Sequence, residues 1–164
     1  MKKLNKNNKG FSLVELLVVI AIMVVLVGVL APTLLGNIEK SRVSSDIQVL
    51  DSIAGAIQSA IGSDEKAYTE AMSIKDAEYT VAALYAGKVT TSTGDVTISN
   101  LKTLMEEYLA STKIGFKGSD AKTAYGTIDN LKFKIDGNGT ITVTLYKTGT
   151  EVLTAKNVDY KVTR

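Results

Sequence analysis

The stretch that decides the fold is MKKLNKNNKGFSLVELLVVIAIMVVLVGVLAPTLL, residues 1–35. Its first ten residues carry four lysines and no acid, and residues 16–35 carry no charge at all. As a helix, residues 16–35 measure about 30 Å, which is enough to cross the hydrocarbon core of a bilayer. The basic flank predicts that the N-terminus stays in the cytoplasm. The sequence therefore predicts a protein targeted to a membrane.

Composition removes most classes of enzyme. The 164-residue chain has no cysteine and no histidine, which excludes disulfides, thiolate metal sites, thiol nucleophiles and every site that needs an imidazole. One proline and a hydrophobic fraction of 45% are typical of a folded domain. We therefore expect a protein that is not an enzyme and that holds no cofactor and no metal.

Three kinds of targeting segment fit the apolar run. A secretory signal peptide would be cut after Ala31, but Pro32 would then follow the cut, which disfavours it. A simple single-pass anchor leaves Glu15 unexplained, because a carboxylate at the centre of a membrane helix costs about 2.5–3.5 kcal/mol and less near an end.

The third alternative accounts for the remaining residues. GFSLVE at residues 10–15, followed by the apolar helix, resembles the signature of type IV pilins and their pseudopilin relatives. The resemblance implies that a prepilin peptidase cuts between Gly10 and Phe11 and leaves N-methylphenylalanine at Phe11. Many such pilins also carry a proline at the position of Pro32. The lysine-rich leader and the lack of cysteine resemble pilins of a Gram-positive, clostridial type.

Within this resemblance, Glu15 has a physical role in assembly. Cleavage would give Phe11 a charged amine, and Glu15 lies one helical turn away, at i+4. An unpaired carboxylate in a bundle without water is costly, so pairing with this amine, or with that of a neighbouring subunit, would fix the register of the subunits. The alternative is that Glu15 only marks the membrane boundary.

The sequence predicts four segments. They are a leader at 1–10, a transmembrane and filament-core helix at 11–35, an amphipathic half of the same helix at 36–62, and a globular head at 63–164. We expect the helix to run from about Ser12 to Ile61 and to stop at Gly62-Ser63-Asp64, with Asp46 among the polar residues that separate its apolar positions. Pro32 should bend it, and Gly28 weakens the same turn.

The head is predicted to begin with short helices and to end in strands. Helices are expected at 64–72, at 76–86 before Gly87, and at 101–109 with Ser99 or Asn100 as cap. Strands are expected at 131–135, 140–146, 151–155 and 158–162, with turns at 136–139 and 148–149. The fold class is α+β: a long kinked helix whose C-terminal half packs on an antiparallel sheet, as in the type IV pilin fold.

Two further patterns have alternative interpretations. Asp136-Gly137-Asn138-Gly139 predicts a hairpin turn, because the glycine and glutamate that an EF-hand needs further on are missing. Residues 36–112 hold six basic and eleven acidic residues, whereas residues 113–164 hold nine basic and five acidic. These halves are either two solvated faces or complementary surfaces through which the basic sheet region of one subunit meets the acidic helical region of another.

The C-terminal basic residues also make DNA a candidate partner, though a weaker one, as in an uptake system. They are Lys113, Lys117, Lys122, Lys132, Lys134, Lys147, Lys156, Lys161 and Arg164.

The sequence thus predicts a structural subunit of a type IV pilus, made as a single-pass precursor in the cytoplasmic membrane and assembled into an extracellular helical filament of identical copies. The implied partners are a prepilin peptidase, an assembly ATPase and a platform protein, and the implied roles are adhesion, motility, biofilm formation or DNA uptake. The alternatives are a pseudopilin of a type II secretion or competence machine, and a single-pass membrane protein that is never processed.

Overall fold

The computed structural model describes residues 10–109, 115–125, 130–148 and 150–164. The chain divides into two compact units, residues 1–38 and 39–164, and the first helix contributes to both. The helices are α1 (Leu13–Ser63), α2 (Glu65–Ser73), α3 (Val81–Ala86), α4 (Ser99–Leu109) and α5 (Ser119–Tyr125). The strands are β1 (Glu78–Thr80), β2 (Lys88–Thr91), β3 (Gly94–Thr97), β4 (Leu131–Ile135), β5 (Ile141–Thr148), β6 (Glu151–Val152), β7 (Thr154–Ala155), β8 (Val158–Asp159) and β9 (Lys161–Thr163).

The second half of α1 buries one face in the core of residues 39–164. The buried positions recur every three or four residues, which is the period of a helix face: Val43, Asp46, Leu50, Ile53, Ala54, Ala56, Ile57 and Ala60. The predicted long helix is therefore confirmed. It ends at Ser63, two residues beyond Ile61 and within the predicted stop Gly62-Ser63-Asp64, since the chain leaves helical geometry at Asp64.

Asp64 separates the first two helices by capping the second. Its backbone is extended, and its Oδ1 accepts hydrogen bonds from the backbone N–H of Lys66 and of Ala67, both at 2.9 Å. A side-chain carboxylate at this position satisfies N–H groups that have no partner inside the helix. The predicted helix at 64–72 is confirmed, shifted by one residue.

The prediction of a helix across 76–86 is wrong for its first part. Glu78–Thr80 is strand β1, and only Val81–Ala86 is helical, with Gly87 at a φ of +72° as its left-handed C-cap. Strand β1 pairs with β4, where Tyr79 lies opposite Phe133 and the two ring centroids are 6.1 Å apart. Pairing with a strand about fifty residues away outweighs the local preference of this segment.

The main sheet forms in the order β1-β4-β5, all antiparallel. The second edge of β5 is shared, because β9 pairs with Thr142–Thr144 and β6 pairs with Tyr146 and Thr148. The strands predicted at 131–135 and 140–146 are confirmed. The large apolar side chains of β4 and β5 occupy every second position and are buried in the core: Leu131, Phe133, Ile135, Ile141, Val143 and Leu145.

The two last predicted strands are each broken in two. The breaks fall at Leu153 and Tyr160, which are buried and hydrogen bonded to each other and to Leu145 through their backbones, at 2.8–2.9 Å. Each of these two residues marks a change of strand pairing. At Leu153 the chain passes from the β5–β6 pair to the β7–β8 pair, and at Tyr160 it passes from β7–β8 to the β5–β9 pair. Neither the hairpin β2–β3 nor helix α5 was predicted from the sequence.

Asp46 was expected among the polar residues that separate the apolar positions of α1, but it lies on the core face itself as a buried carboxylate. Its Oδ1 accepts the backbone N–H of Lys117 at 2.6 Å, and its Oδ2 accepts the N–H of Gly118 at 2.8 Å and the hydroxyl of Tyr160 at 3.3 Å. Burial raises the pKa of Tyr160 above its usual range, and the charge of Asp46 raises it further. These bonds tie residues 117–118 and the end of the sheet region to α1.

A polar cluster occupies the exposed face of the sheet. The hydroxyl of Tyr146 donates to Glu78 Oε1, Lys132 Nζ lies 3.7 Å from Glu78 Oε2, and the same ammonium lies 4.9 Å from the centroid of the Tyr146 ring. Burial, and then the hydrogen bond to Glu78, raises the pKa of Tyr146 to about 12.

The raised pKa of Tyr146 predicts that the folded protein loses stability at alkaline pH. The folded state holds the Tyr146 proton more tightly than the unfolded chain, whose tyrosines titrate near pH 10, so the stabilisation is complete below about pH 10 and is lost as the pH rises towards about 12. Scanning calorimetry of the full-length chain in detergent should show a melting temperature that falls over this interval, and less steeply in Tyr146→Phe. The exposed Tyr68→Phe is the control; equal slopes in both variants would contradict the assignment.

Candidate processing and assembly site

The first turn of α1 is closed by a reciprocal capping arrangement. Ser12 Oγ accepts the N–H of Val14 at 3.3 Å, while the N–H of Ser12 donates to Glu15 Oε2 at 2.9 Å. The carbonyl of Ser12 accepts the first helical hydrogen bond, from Leu16 N–H at 3.2 Å. The bond from Ser12 N–H to Glu15 is that of a capping box, whereas Ser12 Oγ bonds to Val14, one residue earlier than in the standard motif. The pattern S-x-x-E at residues 12–15 is a local signal for this bond, although the bond was not predicted above.

The peptide bond between Gly10 and Phe11 lies before the helix and is accessible. Gly10 is exposed, and a side chain built there would meet no atom within 4 Å. Phe11 is 88% exposed. An enzyme could therefore reach this bond without unfolding α1.

The first half of α1 exposes an uninterrupted apolar surface. Its large apolar side chains between residues 13 and 35 are all exposed, and Glu15 is the one charged residue of the described stretch 10–38. By length and composition α1 is able to cross a membrane. Apolar surface of this extent is not stable in water, so it requires lipid or other apolar helices around it.

Gly28 and Pro32 lie one helical turn apart in this stretch. Proline has no N–H, so the carbonyl of Gly28 lacks its normal i+4 donor at Pro32. Helix α1 nevertheless continues through both residues. No atom lies within 4 Å of a side chain built at Gly28, so within a single chain this glycine is not needed for close packing.

The other sequence-predicted positions lie in the second unit. The Asp136 carboxylate accepts the N–H groups of Asn138 and Thr140, both at 2.8 Å, which confirms a turn and holds the pKa of Asp136 below its usual value, chiefly through the Thr140 bond. In the described part of the chain, no group of three or more acidic side chains is placed to hold a metal ion. Among the C-terminal basic residues, Lys132 faces Glu78 and Arg164 pairs with Asp51.

Comparison with known families identifies the N-terminal segment. Residues 5–31 match the family model of the prokaryotic N-terminal methylation motif. The chain carries the type IV pilin and pseudopilin signal. The pilin-type segment includes Gly10, Phe11, Glu15 and Gly28 and ends one residue before Pro32. Searches of curated proteins and of solved structures found no match to this chain.

The fold agrees with the pilin-type signal. A long N-terminal helix followed by a small antiparallel sheet is consistent with the α+β type IV pilin fold. The apolar start of α1 together with the motif fits a membrane-anchored precursor of a pilin or pseudopilin. A motif of this kind marks a structural protein.

Proposed function

We propose that this protein is a structural subunit of a type IV pilus, cut between Gly10 and Phe11 and assembled through the first half of α1. The observation that carries the proposal is an exposed apolar helix with a single carboxylate, placed in a capped first turn directly after the accessible Gly10–Phe11 bond. A surface of this kind can exchange lipid for sister helices, because both environments are apolar.

Processing would change the partners of Glu15. In the precursor, Glu15 Oε2 already accepts the N–H of Ser12 at 2.9 Å. Cleavage would place the amine of Phe11 within the same turn. A carboxylate accepts several hydrogen bonds, so Glu15 can keep its bond to Ser12 and also pair with this amine or with that of a neighbouring copy. Methylation of the amine keeps its charge, so the pairing survives the modification.

The remaining parts of the proposal concern topology and assembly. The four leader lysines hold the N-terminus of the precursor in the cytoplasm, where the prepilin peptidase acts. An assembly ATPase and a membrane platform protein then move the subunit out of the membrane, and residues 39–164 form the outer surface of the filament. The turn from Gly28 to Pro32, which lacks one hydrogen bond, is where α1 can change shape during this transfer.

The test is mass spectrometry of the N-terminal peptide of this protein in material sheared from the cell surface. The proposal predicts a peptide that starts at Phe11 and carries one added methyl group. An intact leader in the membrane fraction would overturn it and leave an unprocessed membrane anchor. Processed protein that is absent from the sheared material would instead indicate a pseudopilin.

Gly10→Val tests whether the peptidase cuts at this bond. Because a side chain at residue 10 meets open space, the substitution leaves the fold unchanged, and its only expected effect is on recognition by the peptidase. We expect the precursor of Gly10→Val to accumulate uncut in the membrane and to be missing from sheared material.

A further inference from the structure

A groove with an apolar floor and a basic rim lies on residues 39–164. It has a volume of about 440 Å³ and runs between α1 and the β7–β8 hairpin. Its described lining residues include two lysines and no acid: Lys40, Val43, Ser44, Ile47, Gln48, Lys156 and Val158. Val158 is 41% exposed at its edge, and within the described parts of the chain neither lysine forms an ion pair. The groove therefore suits an apolar side chain accompanied by a negative charge.

The turn that carries Lys156 supports a role for this lysine. Lys156 and Asn157 both have positive φ, +53° and +64°, in the two-residue connection between β7 and β8. Such a turn favours asparagine, aspartate or glycine at both positions, and a lysine there adds backbone strain. The hairpin thus holds a flexible cation at the rim of the groove at a cost in local stability.

A surface of opposite character lies on α2. Tyr68 is 51% exposed, and Glu65, one turn before it, is exposed and has no ion pair among the described residues. Within the described part of residues 39–164, the large hydrophobic side chains that are exposed are Tyr68, Tyr108 and Val158. Two of these three side chains thus belong to surfaces of opposite charge. Tyr68 lies beside the acidic Glu65, and Val158 lies at the edge of an apolar groove that is flanked by two lysines.

The two surfaces are separated along α1. The groove uses residues 40–48 of this helix, whereas Tyr68 follows the end of the helix at Ser63 by one turn of α2. Ser44 and Ser63 are 19 residues apart, which corresponds to about 28 Å of helix. Because the two complementary surfaces are different and lie far apart, contact between two copies leaves one of each free, so further copies can add in the same way, as a filament requires.

We propose that the groove binds Tyr68 and Glu65 of another copy of this chain, with the tyrosine ring on Val43, Ile47 and Val158 and the carboxylate between Lys40 and Lys156. This contact rests on the proposed pilus function and gives that function an interface between residues 39–164 of neighbouring copies, in addition to the helical core. The excess of acid in residues 36–112, which include Glu65, and of base in residues 113–164, which include Lys156, favours the pairing of these two side chains.

Cysteine cross-linking tests the contact directly, because the chain has no cysteine of its own. Tyr68→Cys and Val158→Cys are introduced together, and sheared fibres are oxidised and examined on a non-reducing gel. We expect a ladder of covalent multimers, since a disulfide requires Cα atoms within about 7 Å. Val158→Cys with Thr93→Cys, in the exposed β2–β3 turn, should give no ladder. Fibres without a ladder would overturn this contact and leave the pilus proposal standing.

Charge reversal provides a second test that does not remove the apolar side chains. Glu65→Lys and Lys156→Glu should each lower the yield of sheared fibres about tenfold, and the double variant should recover part of the yield, because one ion pair is restored while Lys40 still repels the lysine at residue 65. Lys75→Glu reverses an exposed charge outside both surfaces and should leave the yield unchanged. A double variant no better than either single one would show that the two charges do not meet. If material sheared from wild-type cells contains no processed protein, the pilus proposal itself is overturned.

Discussion

Asp46→Ala should lower the free energy of unfolding of residues 39–164 by about 3–5 kcal/mol. The substitution removes the acceptor of two backbone N–H groups, those of Lys117 and Gly118, and of the Tyr160 hydroxyl. Each buried donor left without an acceptor costs about 1–3 kcal/mol. All seven tyrosines follow residue 63, so the tyrosine signal in near-ultraviolet circular dichroism of the full-length chain in detergent reports the second unit. A loss of this size lowers its melting temperature by about 10–20 °C.

Asp51→Ala is the matched control for this prediction. Asp51 lies on the same helix, but its carboxylate bonds to Arg164 at the surface, with both side chains 43% exposed. Exposed ion pairs contribute about 0.2–1 kcal/mol, so this variant should melt close to the wild type. If Asp46→Ala and Asp51→Ala lose similar stability, the buried carboxylate does not have the role assigned to it.

Gly118→Ala tests the same site from the other side. A methyl group at residue 118 would lie 2.9 Å from Asp46 Oδ2 and 3.1 Å from the Tyr160 hydroxyl oxygen, so one of them must move. Glycine is required here by the closeness of the carboxylate to the backbone. We expect a loss of stability smaller than that of Asp46→Ala, because the hydrogen-bonding groups remain and only their distances change.

The elements that could be predicted from the sequence are those whose signal is local. The apolar spacing of α1, the alternation in β4 and β5 and the turn at Asp136 each lie within one short segment, and each was identified. Strand β1 was missed because its strand character comes from pairing with β4. The cap of α4 was wrongly predicted to be Ser99 or Asn100, because the group that satisfies the start of this helix comes from a different helix. The acceptor is Glu70 of α2, which accepts the backbone N–H groups of Asn100 at 3.2 Å and Leu101 at 2.8 Å, and the side-chain amide of Asn100 at 2.6 Å.

In the candidate site too, residues with a local signal could be predicted, whereas residues that the fold brings together could not. Gly10, Phe11 and Glu15 form a contiguous motif, so the sequence alone was enough to single them out. The bond between Ser12 and Glu15 is also local and could have been predicted from the capping-box pattern. By contrast, Asp46 and the groove at Lys156 depend on segments more than 70 residues apart, and no periodic pattern brings such segments together.

Glu15→Gln should be processed normally and yet fail to enter fibres, with sheared material reduced at least about a hundredfold. Glutamine at this position of a capping box can still accept the N–H of Ser12, so the helix start is kept, but the negative charge is lost. The amine of Phe11 is then a cation without a partner among apolar helices, which costs several kcal/mol for each subunit added. Each 1.4 kcal/mol corresponds to a factor of ten in an equilibrium constant, so even 3 kcal/mol accounts for the predicted loss.

Ser12→Ala separates the cap from the charge. It removes the acceptor of the Val14 N–H at the cost of about 1 kcal/mol, but it keeps both the backbone N–H of residue 12 and the carboxylate of Glu15. We therefore expect Ser12→Ala to form fibres at close to the wild-type yield. Quantitative immunoblots of sheared and membrane fractions measure both variants, with mass spectrometry to verify processing. If Glu15→Gln assembles as well as Ser12→Ala, the carboxylate acts only as a helix cap, and register in the filament must be set by other contacts, such as that of Tyr68 with the groove.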